Sequence, residues 1–179
     1  MWSLRSGARP ARTVLPRRAL LGALAAGALL AGCRARPLLA PGGSAARLRG
    51  QVAIAQIEGE TGFALEQALV RELGPAGADA PFVLRVSLST AERRIGTTAT
   101  GGTTRVQLSG TARWALLRRG AEDGPEAAAG VAEALVSYDT TGTRPADEAA
   151  ARDAGERLAA LLARRIAERI RVGADALGG

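Results

Sequence analysis

The sequence predicts an α+β domain, a two-layer sandwich in the order β-α-β-β-β-α, with a four-stranded mixed sheet carrying two helices on one face. Three observations carry this expectation. Two long runs between residues 82 and 116 alternate apolar and polar side chains around a Gly-Gly turn. Residues 145–170 repeat apolar side chains every four positions. A short β-branched run followed by a second helical pattern precedes both.

Gln51 to Glu58, QVAIAQIE, is apolar and of strand length, although periodicity alone does not separate so short a strand from buried helix. From Thr61 the residues Leu65, Leu69 and Leu73 recur at helical spacing, with Thr61 as the expected cap and Gly74-Pro75 as the stop. Phe82, Leu84, Val86 and Leu88 then alternate with Arg85, Ser87 and Ser89. Val106, Leu108, Ala112, Trp114 and Leu116 alternate with Arg105, Gln107, Ser109, Thr111 and Arg113. A period of two over this length means strands with one wetted face. The intervening TTATGGTT, centred on Gly101-Gly102, closes them as a long hairpin. Residues 118–125, RRGAEDGP, supply another turn, and Val131 to Asp139 read as a fourth strand whose alanines leave its buried face open.

In the final segment, Pro145 suits a first helical position, and Ala150, Ala154, Leu158, Leu162, Ile166 and Ile170 form an apolar stripe opposite charged residues. Glu148 with Arg152, Asp153 with Arg157 and Arg164 with Glu168 stand at i,i+4. Arg165, Arg169 and Arg171 crowd the helix C-terminus, where its dipole favours cations, so they need no ligand to explain them. The first two strands are expected to pair in parallel through the first helix, while strand order stays open. The domain is expected over residues 51–172, with 173–179 as a flexible tail.

Chemistry is limited by what the chain lacks. It has 179 residues, 3% of them aromatic, with 24 basic and 17 acidic side chains, no His, and one Cys. Every basic residue is Arg. A Ser-His-Asp triad, a Ser-Lys dyad, a Schiff base and an imidazole metal site are therefore excluded. One cysteine also excludes an intrachain disulfide and a thiolate zinc cage. No metal and no cofactor are expected.

Residues 1–32 read as a signal peptide: Arg5, Arg9, Arg12, Arg17 and Arg18 precede the apolar run Ala19 to Ala31, which is shorter than the about 20 residues a spanning helix needs. Arg17-Arg18 also has the look of a twin-arginine signal, and basic leaders have such pairs in any case. Leu30-Ala31-Gly32-Cys33 resembles the lipobox of bacterial lipoproteins, which implies acylation of Cys33 and a lipid anchor in the membrane. Each buried acyl methylene contributes about 0.8 kcal/mol, so several chains make release negligible. Residues 33–50, rich in Pro, Gly and Ser, are the expected lipidated Cys and linker. From residue 33 onward 19 arginines face 17 acids, so the overall charge of +7 belongs mostly to the leader. With few aromatics besides, nucleic acid is not an expected partner.

Arg36-Pro37-Leu38 lies shortly after the lipobox. Gly102-Thr103-Thr104-Arg105 leads into the strand ending Ala112-Arg113-Trp114-Ala115-Leu116, then come Leu135-Val136-Ser137-Tyr138-Asp139 and the acid-Ala-Ala-Ala-Arg-Asp-Ala run at 148–154. In this order and spacing the chain resembles the lipopolysaccharide (LPS) assembly lipoproteins of the LptE type, especially those of alphaproteobacteria. It departs from them in the opening, where Gly-Phe and a Tyr are missing, and at Arg144-Pro145, where members often have Tyr-Ala.

The resemblance implies a non-enzymatic lipoprotein on the periplasmic side of the outer membrane, seated as a plug and assembly factor in the LPS-translocating β-barrel. Arg34, in place of the Asp that resembles an inner-membrane retention signal, fits that sorting. The rival readings are an auxiliary lipoprotein of an ABC-type lipid-transport system and an envelope lipoprotein tied to peptidoglycan.

Arg93-Arg94 and Arg118-Arg119, expected beside turns, are the candidate contacts for LPS phosphates, because guanidinium forks bind phosphate bidentately. Their other reading is solvated charge that discourages edge pairing. Trp114 is expected in the core, and Tyr138 with it, its hydroxyl needing a partner. The Thr97 to Thr104 tip could enter a barrel lumen, or Thr could simply favour strand. A hydrolase would have to draw on carboxylates such as Glu58, Glu60, Asp139, Asp147 and Glu148 held across a cleft.

Overall fold

The six expected elements are present in the expected order in a computed structural model that describes residues 48–97 and 103–174. They are β1 (Val52–Ile54), α1 (Glu60–Leu73), β2 (Phe82–Thr97), β3 (Thr103–Arg118), β4 (Ala128–Asp139) and α2 (Arg144–Val172). The leader, Cys33, the linker up to residue 47, the centre of the hairpin tip at 98–102 and the tail from 175 lie outside the described residues.

The strands order as β1-β2-β3-β4. β1 pairs with β2 in parallel, and β2 with β3 and β3 with β4 antiparallel, so the sheet is mixed as expected. Alternation decides the faces. Even-numbered residues of β2, β3 and β4 turn towards the helices, among them Leu84, Leu108, Ala112, Trp114, Leu116, Ala132, Ala134 and Val136, all buried. Odd-numbered residues such as Arg85, Ser87, Ser109, Thr111, Arg113 and Glu133 form a polar face away from them. In β4 this places Ala132, Ala134 and Val136 inward and leaves Val131 and Leu135 exposed, which settles the face that alanine content had left open.

α2 supplies the lid of the core. Leu158, Leu162, Ile166 and Ile170 are fully buried along one stripe, each such side chain contributing about 1.5–3 kcal/mol through removal from water. A parallel row of Gly155, Ala159, Ala163 and Ala167 is also buried, and at Gly155 the missing side chain lets Thr61 of α1 approach, its Oγ1 lying 3.3 Å from where a Cβ would stand. Trp114 is in the core, as expected, its Cζ2 lying 2.9 Å from where a Cβ on Gly130 would stand.

Several local expectations are corrected. β1 holds only Val52–Ile54, because the chain must turn away at Ala55 to begin α1; Ile57 is buried from irregular backbone. The N-cap of α1 is Gly59 at φ 85°, not Thr61, which lies inside the helix. Gly74 does end α1, its N–H donating to Val70 O at φ 84°. Of the three expected pairs along α2, Asp153–Arg157 forms at 2.8 Å. Arg152 instead crosses to Glu60 of α1 at 3.1 Å, and Glu148 pairs with Arg144 at 2.9 Å. Arg164 and Glu168 form no ion pair among the described residues. The C-terminal arginines tie elements together: Arg169 donates to Val131 O, and Arg171 to both the backbone and the carboxylate of Glu72 in α1. Ala174, placed by expectation in the tail, is buried.

Gly62 gives a sign test of this packing. In an exposed helix interior Gly→Ala stabilises by about 1 kcal/mol, yet a Cβ on Gly62 would stand 2.9 Å from the carbonyl oxygen of Ile57. Backbone cannot swing aside as a side-chain end does. Gly62→Ala is therefore expected to lower stability in denaturant unfolding, by about 1–3 kcal/mol; a gain would show that the β1–α1 turn is looser than described.

Candidate functional site

The two arginine pairs singled out by sequence are not brought together. Phe82 pairs with Arg118 at one end of the hairpin and Arg93 with Gln107 far along it, which separates the pairs by roughly 36 Å at strand rise. Arg118 and Arg119 stand at the end of β3 and serve the fold: Arg118 lies over the Phe82 ring at 5.7 Å, and Arg119 Nη1 donates to Ala78 O at 2.9 Å. Beside them Glu122 accepts the Gly120 N–H at 2.9 Å, a bond that holds its carboxyl below the usual range.

Arg93 and Arg94 lie within β2, not beside a turn, since that strand continues to Thr97 with a bulge at Gly96. Arg93 donates to Gln107 Oε1 at 3.1 Å on the face away from the helices. Arg94, on the opposite face, makes no ion pair or hydrogen bond among the described residues. From Ser89 to Ile95 every residue of β2 is exposed, whereas Val106, Leu108 and Gly110 facing them in β3 remain buried. α1 is too short to reach: 14 residues rise about 21 Å, against about 53 Å for the 16 residues of β2.

Two depressions follow from this missing cover, both on the helix side and sharing Glu92 in their linings. The first, of about 570 Å³, lies between the start of α1, the first half of α2 and the middle of β2. Glu60, Glu92, Glu148 and Glu156 line it with Arg152 and the exposed Phe63. The second, of about 770 Å³, is lined by Arg93, Arg94, Val106, Tyr138 and Asp147. Tyr138 reaches from β4 across β3 and donates its hydroxyl to Glu92 Oε1 at 3.2 Å, which gives it the partner that burial requires. Partial burial first, and the Glu92 carboxylate second, push its phenol above the ordinary value.

Asp147 accepts the Thr141 N–H at 2.7 Å and fixes the turn into α2. On the other face Arg105 clasps Asp139 with bonds of 2.7 and 3.1 Å, which hold that carboxyl low and the guanidinium high. Glu60, Asp139, Asp147 and Glu148 are thus each engaged with a neighbour. Among the described residues no group of three acids, His or Cys is placed to hold a metal. What this end of the sheet can do is bind: cationic and hydroxyl donors stand beside an acid-lined groove with an aromatic rim.

The Tyr138–Glu92 contact was not visible from periodicity, although a trace of it was. The apolar member of the β2 alternation disappears after Leu88, where Thr90, Glu92 and Arg94 take the helix-side positions, while that of β3 runs on to Val106.

A family model described as LptE, lipopolysaccharide-assembly, matches residues 50–170. Among solved structures, a Caulobacter crescentus CB15 protein assigned as a lipoprotein is 27% identical with a TM-score of 0.57, covering 74% of this chain and 96% of that one. Rare lipoprotein B from Shewanella oneidensis (17% identity, TM-score 0.50, 72% and 98% covered) and a minor lipoprotein from Acinetobacter baumannii (17%, 0.52, 70% and 94%) share the fold. Among curated proteins none matches the chain.

Tyr138 is the chain's only tyrosine, so its ionisation can be followed by phenolate absorbance without ambiguity. Because the folded pKa is raised, the stability tied to the neutral phenol is present at neutral pH and is lost as pH rises through that folded value. The midpoint is expected above about 10 and closer to it in Glu92→Gln. A native midpoint at or below the free value would contradict the contact.

Proposed function

This chain belongs to the LptE family of lipopolysaccharide-assembly proteins, and on that premise we propose that it is an outer-membrane lipoprotein, lipid-anchored on the periplasmic side. In this reading it partners with the LPS-translocating β-barrel, plugs it, and aids its assembly and the insertion of LPS. The observation that carries the reading is the extent of the family match, residues 50–170, which takes in every described strand and helix but the last two residues of α2.

The chemistry supports binding over catalysis. The chain has no His and no Lys, and its site carboxylates are held in ion pairs and capping bonds. The sheet face away from the helices offers Ser87, Ser89, Ser109 and Thr111 between Arg85, Arg93, Arg105 and Arg113, a polar surface suited to the polar lumen of a membrane barrel. Cys33, acylated, would keep this body at the membrane, where strong binding of the partner costs little further loss of freedom.

Of the four arginines, Arg93 and Arg94 are the phosphate contacts this reading prefers: Arg94 makes no ion pair or hydrogen bond among the described residues and Arg93, on the opposite face, bonds only Gln107, whereas Arg118 and Arg119 are tied to the Phe82 ring and the Ala78 carbonyl. Native protein isolated in mild detergent is expected to bring down an outer-membrane barrel; recovery of inner-membrane transporter subunits alone would contradict the reading. Arg93→Gln with Arg94→Gln is expected to weaken LPS binding by roughly 1–2 kcal/mol and flatten its salt dependence without altering the unfolding midpoint. The same change at Arg118 and Arg119 is expected to lower the midpoint instead. Unchanged LPS affinity in the folded Arg93/Arg94 variant would remove these two residues from the site.

A further inference from the structure

The two outer edges of the sheet are treated differently. On β4 the outward carbonyls of Val131 and Ser137 are taken by Arg169 and Arg157 of α2, the latter at 3.4 Å. Twelve residues of helix rise about 18 Å and six of strand about 20 Å, so the two arginines meet the edge in step. A guanidinium on each of these two carbonyls obstructs that edge at two points, and a further strand would have to displace both.

On β2, Phe82 N–H donates to Gln51 O at 3.2 Å, and Leu84 O accepts from Ala55 N–H at 2.9 Å, so even-numbered residues point their backbone groups outward. The pairing with β3 continues without a shift to Arg94. Val86, Leu88, Thr90, Glu92 and Arg94 therefore present N–H and C=O groups on that edge, and no backbone group of the described residues bonds them from outside. Their span is about 26 Å, enough for a strand of eight residues. Alongside runs the groove of Glu60, Glu92, Glu148 and Glu156; Arg152, the one cation among its described lining residues, pairs with Glu60 and Arg144 pairs with Glu148, which leaves Glu92 and Glu156 outside any ion pair among the described residues.

We propose that the outer edge of β2, from Val86 to Arg94, pairs with an extended segment of a partner protein whose helix-side residues are basic. Main-chain hydrogen bonds to the free edge give such a segment its affinity, and its alternate side chains meet the acid-lined groove and the ring of Phe63. The bulge at Gly96 ends the docking strand at its far end. This goes beyond the proposed function, in which the barrel meets the polar face and phosphates meet Arg93 and Arg94, and it stands or falls separately.

The test places a photo-crosslinking benzoylphenylalanine at Thr90 in the full-length protein in its own cells, with a second probe at Thr111 on the polar face, and maps the adducts by mass spectrometry. The expected adduct at Thr90 is one protein segment with basic residues at alternate positions. Its yield should fall at least fivefold in Glu92→Pro, which removes an outward N–H that bonds nothing within the sheet, and in Glu156→Arg, an exposed helix position that leaves the edge intact. An LPS adduct at Thr90, an acidic segment, no adduct, or a yield unmoved by Glu156→Arg overturns the proposal. Barrel adducts at Thr111 with none at Thr90 would sink the docking edge alone, whereas a basic segment at Thr90 without barrel adducts at Thr111 would sink the barrel reading alone.

Discussion

A mismatch of lengths governs this molecule. The hairpin of β2 and β3 extends about 53 Å, α2 about 43 Å and α1 only about 21 Å, from 16, 29 and 14 residues respectively. A sheet face can be kept dry only where a helix covers it. α2 lies over β3 and β4, so their inward residues stay buried nearly to the far end; α1 begins level with the middle of β2 and runs back from it, so β2 loses its cover after Leu88. The acid-lined groove, the Tyr138–Glu92 contact, the free arginine and the open edge all sit at the place where the helical layer gives out.

The charges are arranged around the same boundary. Where helices and strands touch, arginine acts as a fastener: Arg171 joins α2 to the end of α1, Arg152 joins it to the start, and Arg157 and Arg169 hold two outward carbonyls of β4. Past the boundary Arg94 has no such work. Exposed pairs of this kind contribute little stability individually, and their value lies in register, because each links residues on separate elements. The result is a base fastened across its elements and an end with less cover.

Much of the fold was legible from sequence because period two and period four leave different marks. Leu158, Leu162, Ile166 and Ile170 specify a helix, and Leu84 to Leu88 with Val106 to Leu116 specify a hairpin, whatever packs against them. Lengths were less legible. Nothing local marks that β1 stops at Ile54 or that β2 runs on through Glu92, Arg93 and Arg94, since polar residues in a strand without cover resemble a turn. The candidate site suffered most for the same reason: arginines taken as two equivalent pairs differ because of the Phe82 ring beside Arg118 and the Ala78 carbonyl near Arg119, contacts that only the folded chain creates.

The central claim is that the far half of β2 is bare in the isolated domain and covered in the working assembly. Amide hydrogen exchange of the native protein, compared between the purified domain and the complex extracted from outer membranes, tests it most directly. The account predicts fast exchange at Val86, Leu88, Thr90, Glu92 and Arg94 in the domain, marked slowing of these amides in the complex, and no change along the outer side of α2. Slow exchange at these amides in the isolated domain, or new protection confined to α2, would contradict it.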